Sequence, residues 1–192
     1  MEQRGKIAPT VALSLPVAGA LWFGLRENLP PIAAEPMVFA LGCIGVALLL
    51  TLVAGIEAVA HERLFSAAID PLAGRESKRL IVNQRYLQNT LEQAVVFAAG
   101  LLLLAHYQPE LRATAATAIT WVLGRWAFWI GYHIGPMWRG LGVFSMAQSL
   151  VVLAYGVGCF GFDLGGWAGV AALLGPFLAI EAYLFLALRR PT

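Results

Sequence analysis

Charge is scarce in this chain. Of its 192 residues only 12% are charged, where a soluble domain carries about 25%. The 13 Lys/Arg and 11 Asp/Glu nearly cancel, leaving a net charge too small to say anything about partners by itself. With 59% hydrophobic residues the chain cannot cover itself with polar surface, which excludes an ordinary soluble enzyme, a disordered chain and a nucleic-acid binder built on a basic patch. Cysteine and histidine are equally thin. Cys43 and Cys159 stand alone in apolar runs, outside any CxxC or Cys/His cluster. They read as small buried hydrophobes and not as metal ligands or a disulfide framework. His61, His106 and His133 scatter at the ends of apolar runs and read as interfacial or loop residues. Linkers, low-complexity tracts and internal repeats are missing too, which argues for a single domain over residues 1–192.

What the chain has instead is long apolar runs, with a mean hydropathy of +0.73. A membrane-spanning helix needs about 20 such residues. Six candidates appear, over 7–25, 37–60, 80–105, 113–132, 141–160 and 167–188. The first follows Arg4 and Lys6 as a signal peptide would. Pro9 and Pro16 interrupt it and no A-x-A-like cleavage site follows, so it reads as a span. The expected fold class is therefore all-α, a polytopic membrane helix bundle, because these runs are far too long for barrel strands.

Charge placement orients the bundle. With both termini cytoplasmic, the inner segments hold Arg4, Lys6, Arg63, Arg75, Lys78, Arg79, Arg139, Arg189 and Arg190, while the outer ones hold only Arg26 and Arg112. Such an asymmetry is the positive-inside bias, and it favours an even number of spans. Trp22, Phe23, Tyr107, Trp138 and Trp167 fall near the boundaries, as an interfacial belt does. The expected localisation is an integral, multi-pass membrane protein with both termini cytoplasmic, in the inner membrane if the source is bacterial.

Ionisable groups at membrane depth cost about 2.5–3.5 kcal/mol each on insertion scales, so they mark candidate sites. The third span opens with Arg85, Gln88, Asn89, Glu92 and Gln93. Arg85, Asn89 and Glu92 follow one another at i, i+4 and i+7 and share a helical face. In the fourth span Arg125, Phe128 and Tyr132 do the same at i, i+3 and i+7, and Arg139 follows a Gly135-Pro136 turn. A bare Arg125–Glu92 ion pair is one reading of this set. The excess of groups points further, to a small zwitterionic, multiply anionic ligand reached from the cytoplasm. Arginine suits carboxylates, Glu92 suits an ammonium, and Asn89 suits peptide groups. Glu57 and Glu181 are expected to be packed, protonated or hydrogen-bonded carboxyls within spans. Ser145 and Gln148 are expected to bridge helices.

The stretch Arg85-Tyr86-Leu87-Gln88-Asn89-Thr90-Leu91-Glu92 and the stretch RWAFWIGYHIGPMWR from Arg125 to Arg139 together resemble the MAPEG superfamily, the membrane-associated proteins in eicosanoid and glutathione metabolism. The resemblance covers 37–160 as a four-helix unit, with 7–25 and 167–188 as additional spans. It implies a homotrimer that binds glutathione, as co-substrate, between neighbouring subunits near the cytoplasmic side. Arg85, Gln88, Asn89, Glu92 and Arg125 would hold the tripeptide with Tyr132, and Arg139 would stabilise its thiolate. Arg63 would match a further basic contact. The implied activity is a transferase or peroxidase in which that thiolate attacks an apolar electrophile or a lipid hydroperoxide. No metal is implied and no nucleic acid. This chain departs from the pattern at Phe128, where relatives have Tyr or His, at Gln88, an Arg in one branch, and at Gly140, a serine in one branch. Those losses favour an alternative, a non-catalytic membrane binding or scaffold protein of the same fold. A small transporter is the remaining alternative, suggested by the six runs and the acidic residues within them, although paired broken helices are absent from the sequence.

Overall fold

The computed structural model describes residues 2–135 and 137–188, with side chains described from Pro9 onward. Pro136, Arg189 and Arg190 lie outside the described residues, as do the side chains of Arg4 and Lys6. Among the described residues five helices follow one another: α1 (Glu2–Asn28), α2 (Pro36–Leu64), α3 (Lys78–Tyr107), α4 (Leu111–Ile134) and α5 (Val143–Ala187). There is no strand among the described residues. Among the described residues three stretches are long and apolar enough to cross a membrane, namely α2, α3 and the segment Trp138–Ala187 that contains α5.

Local chemistry starts these helices where the sequence changes character. Glu35 accepts from the backbone N–H of Met37 at 3.0 Å and of Val38 at 2.6 Å, and Pro36 occupies the first helical position of α2. A proline costs nothing there, because that N–H has no helical partner. Ser77 caps α3 by accepting from Leu80 N–H at 2.9 Å. Midway along α2 a π turn over Leu49–Val53 loosens the ladder. There the Leu50 carbonyl accepts from Trp126 Nε1 at 2.9 Å and the Thr51 carbonyl from the Tyr86 hydroxyl at 3.2 Å. The π turn thus ties α2 to both α3 and α4.

α4 is the most enclosed helix. Its first half, Ala113 to Ala118, is an unbroken run of small buried residues, which lets neighbouring backbones approach. Phe97 and Trp121 stack at 4.2 Å in the core, among Ile44, Ala47, Leu101 and Val122. α5 reverses at Gly165 and Gly166, where Gly166 has φ 59°. Its two limbs pack through Gly161 and Gly169, where either added Cβ would strike the other residue's backbone. The runs expected at 141–160 and 167–188 fall on these two limbs. The second limb is exposed over most of its length.

α1 runs antiparallel to α4. Thr10 Oγ1 donates to the Met137 carbonyl at 2.9 Å, Trp22 Nε1 to Thr117 Oγ1 at 2.9 Å, and Arg26 Nη2 to Glu110 Oε2 at 2.8 Å. Arg112 also pairs with Glu110. The hydrogen bond from Arg26, helped by Arg112, holds the Glu110 carboxyl below its ordinary range. A lowered folded pKa gives stability that is complete above the unfolded value, about 4.3, and is lost as pH falls through the folded value. Glu110→Gln is therefore expected to lower Tm at neutral pH and to flatten the acid limb of the Tm–pH curve. Parallel Tm–pH curves for the two proteins would show that this link contributes nothing.

Candidate functional site

At the end of the bundle where α3 begins and α4 ends, a polar cavity of about 250 Å³ is lined by Arg85, Gln88, Asn89, Glu92, Phe128, Tyr132 and Arg139. Six of the seven residues expected from the sequence as site groups meet there. Three helical segments supply them. α3 offers one face, with Arg85, Gln88, Asn89 and Glu92. The last turns of α4 offer Phe128 and Tyr132. Arg139 comes from the short 3₁₀ turn Trp138–Gly142.

The hydrogen bonds grade this surface. Arg85 Nη1 donates to Gln88 Oε1 at 3.5 Å, and Gln88 Nε2 donates to Glu92 Oε1 at 3.3 Å. Arg85, Gln88 and Glu92 are exposed, so this chain of groups is open to a ligand. The Arg139 guanidinium lies over the Tyr132 ring at 5.6 Å, a cation–π distance. Neither Arg85 nor Arg139 is ion-paired among the described residues, so the cavity presents two guanidinium groups, one carboxylate and one phenol.

Arg125, the seventh expected residue, sits beneath the cavity rather than in its lining. Only 1% of it is exposed. Its Nη2 donates to Asn89 Oδ1 at 2.9 Å and Thr90 Oγ1 at 3.0 Å, and its guanidinium lies over the Phe128 and Tyr86 rings at 4.7 and 5.6 Å. The Arg125–Glu92 ion pair is therefore not formed, because neutral oxygens and aromatic faces take the guanidinium before Glu92 can. The bond from Arg125 also occupies the Asn89 carbonyl, leaving the Asn89 NH₂ group as the donor for a ligand. Phe128 forms part of the platform under Arg125 as well as part of the cavity wall.

Several other sequence expectations fall elsewhere. Arg63 lies away from the cavity and pairs with Glu76 at 3.4 Å. Glu57 is exposed and meets His61 at 3.4 Å, and Glu181 is exposed on the second limb of α5, so neither is packed within this chain. Gln148 does bridge helices, donating to the Thr117 carbonyl at 3.2 Å. Ser145 instead bonds within its own segment, to the Gly142 carbonyl at 2.8 Å. A groove of about 680 Å³ between α2 and α4 carries no charged side chain and shares no residue with the polar cavity.

The sequence reading missed a second polar group on another face of α3. Glu62, buried in the last turn of α2, accepts from Asn83, Ser77 and Arg79. Asn83 in turn accepts from Trp129 and His133. Its signal was the spacing of Asn83, Tyr86 and Thr90 at i, i+3 and i+7, a second polar face of α3 next to the conspicuous one. Glu62 falls just beyond the apolar run 37–60 expected as the second span, although α2 extends to Leu64.

No curated protein and no solved structure matches the chain. A family model does match, over residues 37–159. This is well over half of the chain and covers α2, α3, α4 and the first limb of α5 as far as Cys159, leaving α1 and the second limb of α5 outside. It takes in every residue that lines the polar cavity, and the chain belongs to the MAPEG family of helical integral membrane proteins.

Proposed function

We propose that this protein is a glutathione-dependent membrane transferase or peroxidase. The observation that carries the reading is the convergence of Arg85, Asn89, Glu92, Tyr132 and Arg139 on one cavity where α3 begins and α4 ends. Glutathione is a tripeptide with two carboxylates, one ammonium, two amide links and a thiol. Arg85 is suited to a carboxylate, Glu92 to the ammonium, and the Asn89 NH₂ group to a peptide carbonyl. Tyr132 and Arg139 remain for the sulfur. The cavity is open at the surface of one subunit, and a homotrimer would close it with a neighbour.

A thiol is a weak nucleophile until it ionises, and its pKa, about 8.5 for a cysteine, falls beside a guanidinium. Arg139 supplies that field and stays protonated. In conjugation the thiol proton leaves to solvent and the sulfur lone pair forms a new S–C bond to an apolar electrophile. The leaving group departs with the electrons of the bond that breaks. In peroxide reduction one glutathione thiolate attacks the hydroperoxide O–O bond. A second glutathione completes the disulfide, with an alcohol and water as the other products.

A second reading has a specific observation behind it. Phe128 gives the cavity wall a ring that cannot hydrogen-bond, and Gly140 follows Arg139 with no hydroxyl. A protein that binds glutathione without turning it over fits those two positions.

The test is thermal unfolding of the purified protein in detergent with and without glutathione. A ligand at 100 times its Kd adds about 2.7 kcal/mol, which raises Tm by roughly 5–10 °C for a chain of this size. No shift at millimolar glutathione overturns both readings. A shift accompanied by conjugation of a model electrophile supports the enzyme, and a shift without product selects the binding protein.

A further inference from the structure

The last two turns of α4 present two faces. Phe128 and Tyr132 look into the cavity, while Trp129 and His133, one position further on in each turn, face α3 at Asn83. Asn83 Oδ1 accepts from Trp129 Nε1 and from His133 Nε2, each at 2.9 Å. Asn83 Nδ2 donates to Glu62 Oε2 at 3.2 Å. A carboxylate only accepts, so Glu62 dictates which way the Asn83 amide points. The carbonyl oxygen must then face the two ring N–H groups of α4, and His133 must carry its proton on Nε2 to donate. Glu62 is itself held from three sides. Arg79 Nε lies 3.0 Å from Oε2, and the Ser77 hydroxyl, which also caps α3, donates to Oε1. Below this point Trp129 stacks on Tyr86 at 4.5 Å with the rings nearly parallel, and the Tyr86 hydroxyl is anchored on α2.

Rotation of α4 about its axis is therefore set on the side away from the cavity. A turn of the helix end that lost Asn83 would swing Tyr132 and, through Gly135, the segment bearing Arg139. We propose that Glu62 and Asn83 are positioning residues that aim Tyr132 and Arg139 at the sulfur of the bound thiol. The inference rests on the glutathione reading above, and it assigns to the buried Glu62 network a function beyond holding helices together.

The test uses the full-length protein in detergent. It records glutathione affinity, kcat for a model electrophile, and the ultraviolet absorbance of bound thiolate as a function of pH. Asn83→Asp keeps an oxygen for Trp129 and His133 but sets a second carboxylate against Glu62. It is expected to lower kcat at least tenfold and to raise the pH at which the bound thiol ionises. Affinity for glutathione is expected to change less than threefold, because Arg85, Asn89 and Glu92 on α3 are untouched. Adding Glu62→Gln to that variant restores a donor–acceptor pair with its direction reversed, and is expected to bring kcat back to within threefold of the wild type. A merely structural role would not split kcat from affinity in this way. Should Asn83→Asp fail to fold, His133→Ala at the exposed edge carries the test, with an expected threefold or greater fall in kcat at unchanged affinity. Unchanged kcat and thiol ionisation in these variants overturn the positioning role and leave the glutathione site standing. A wild-type protein that binds no glutathione overturns both.

Discussion

Arg139→Ala is expected to slow conjugation about a hundredfold while glutathione still binds. The size follows from the chemistry assigned to that side chain. Removing one preorganised group that stabilises developing or standing negative charge typically costs about 10²–10³ in kcat. Each unit by which a thiol pKa rises is worth about 1.4 kcal/mol. Arg139 is not ion-paired among the described residues, and its guanidinium lies over the Tyr132 ring, so its loss leaves no buried charge unpaired among them. The effect is therefore expected in kcat and in thiolate absorbance, with little change in Tm. Arg139→Lys keeps a cation but loses the planar fork, and is expected to recover part of the rate. Conjugation by Arg139→Ala at the wild-type rate would sink the thiolate role assigned to this residue, whatever becomes of the tripeptide site.

The second large effect is steric and concerns how Arg139 is held. Gly142 has ordinary right-handed dihedrals, φ −94° and ψ −2°, so its need is for space. A Cβ there would fall well inside contact distance of the Phe128 backbone and Cβ. Gly131, from the other side, meets the Trp138 carbonyl and the Arg139 N–H just as closely. The segment that bears Arg139 is thus pressed onto α4 through two glycines, one on each partner. Overpacking usually costs about 1–3 kcal/mol. Backbone on both sides leaves little room to relax, so Gly142→Ala is expected near the top of that range. Thermal unfolding should show Tm lowered by about 5–10 °C, with conjugation lost through displacement of Arg139. Gly45→Ala is the control. Nothing lies within 4 Å of its added Cβ, and alanine in a helix interior is worth up to about 1 kcal/mol over glycine. If Gly142→Ala melts with the wild type, the close packing of this turn has no energetic consequence.

How far the sequence reached differs from one feature to the next. The cavity face of α3 was legible, because Arg85, Asn89 and Glu92 fall on one stripe of any α-helix at that spacing. Tyr132 was legible for the same reason, and Arg139 from its place just after the turn that ends α4. The partner of Arg125 was not. Charge alone pointed to Glu92, yet the guanidinium goes to Asn89 and Thr90 and lies across the Phe128 and Tyr86 rings. Which neighbour an arginine takes depends on how two helices are rotated against each other, and a one-helix pattern carries no such angle. Glu62 and Asn83 were missed on the same ground. Each is unremarkable in its own helix, and only the packing of α2, α3 and α4 brings a carboxylate, an amide and two ring N–H groups within hydrogen-bonding distance. Glu57 and Glu181 show the opposite limit. Packing was one form expected of them, and both lie on outward faces of this chain, although Glu57 does find a partner in His61.

The sequence by itself determined that this is a helical membrane protein of the MAPEG type and which helical faces carry polar groups. Hydrophobic run length and a 3.6-residue period are local quantities that survive without any fold. Only the tertiary structure decided which of those faces share a cavity, where Arg125 spends its hydrogen bonds, and that α4 is clamped from behind by Asn83. Those outcomes depend on the angles and rotations between helices, set by close contacts of small residues far apart along the chain.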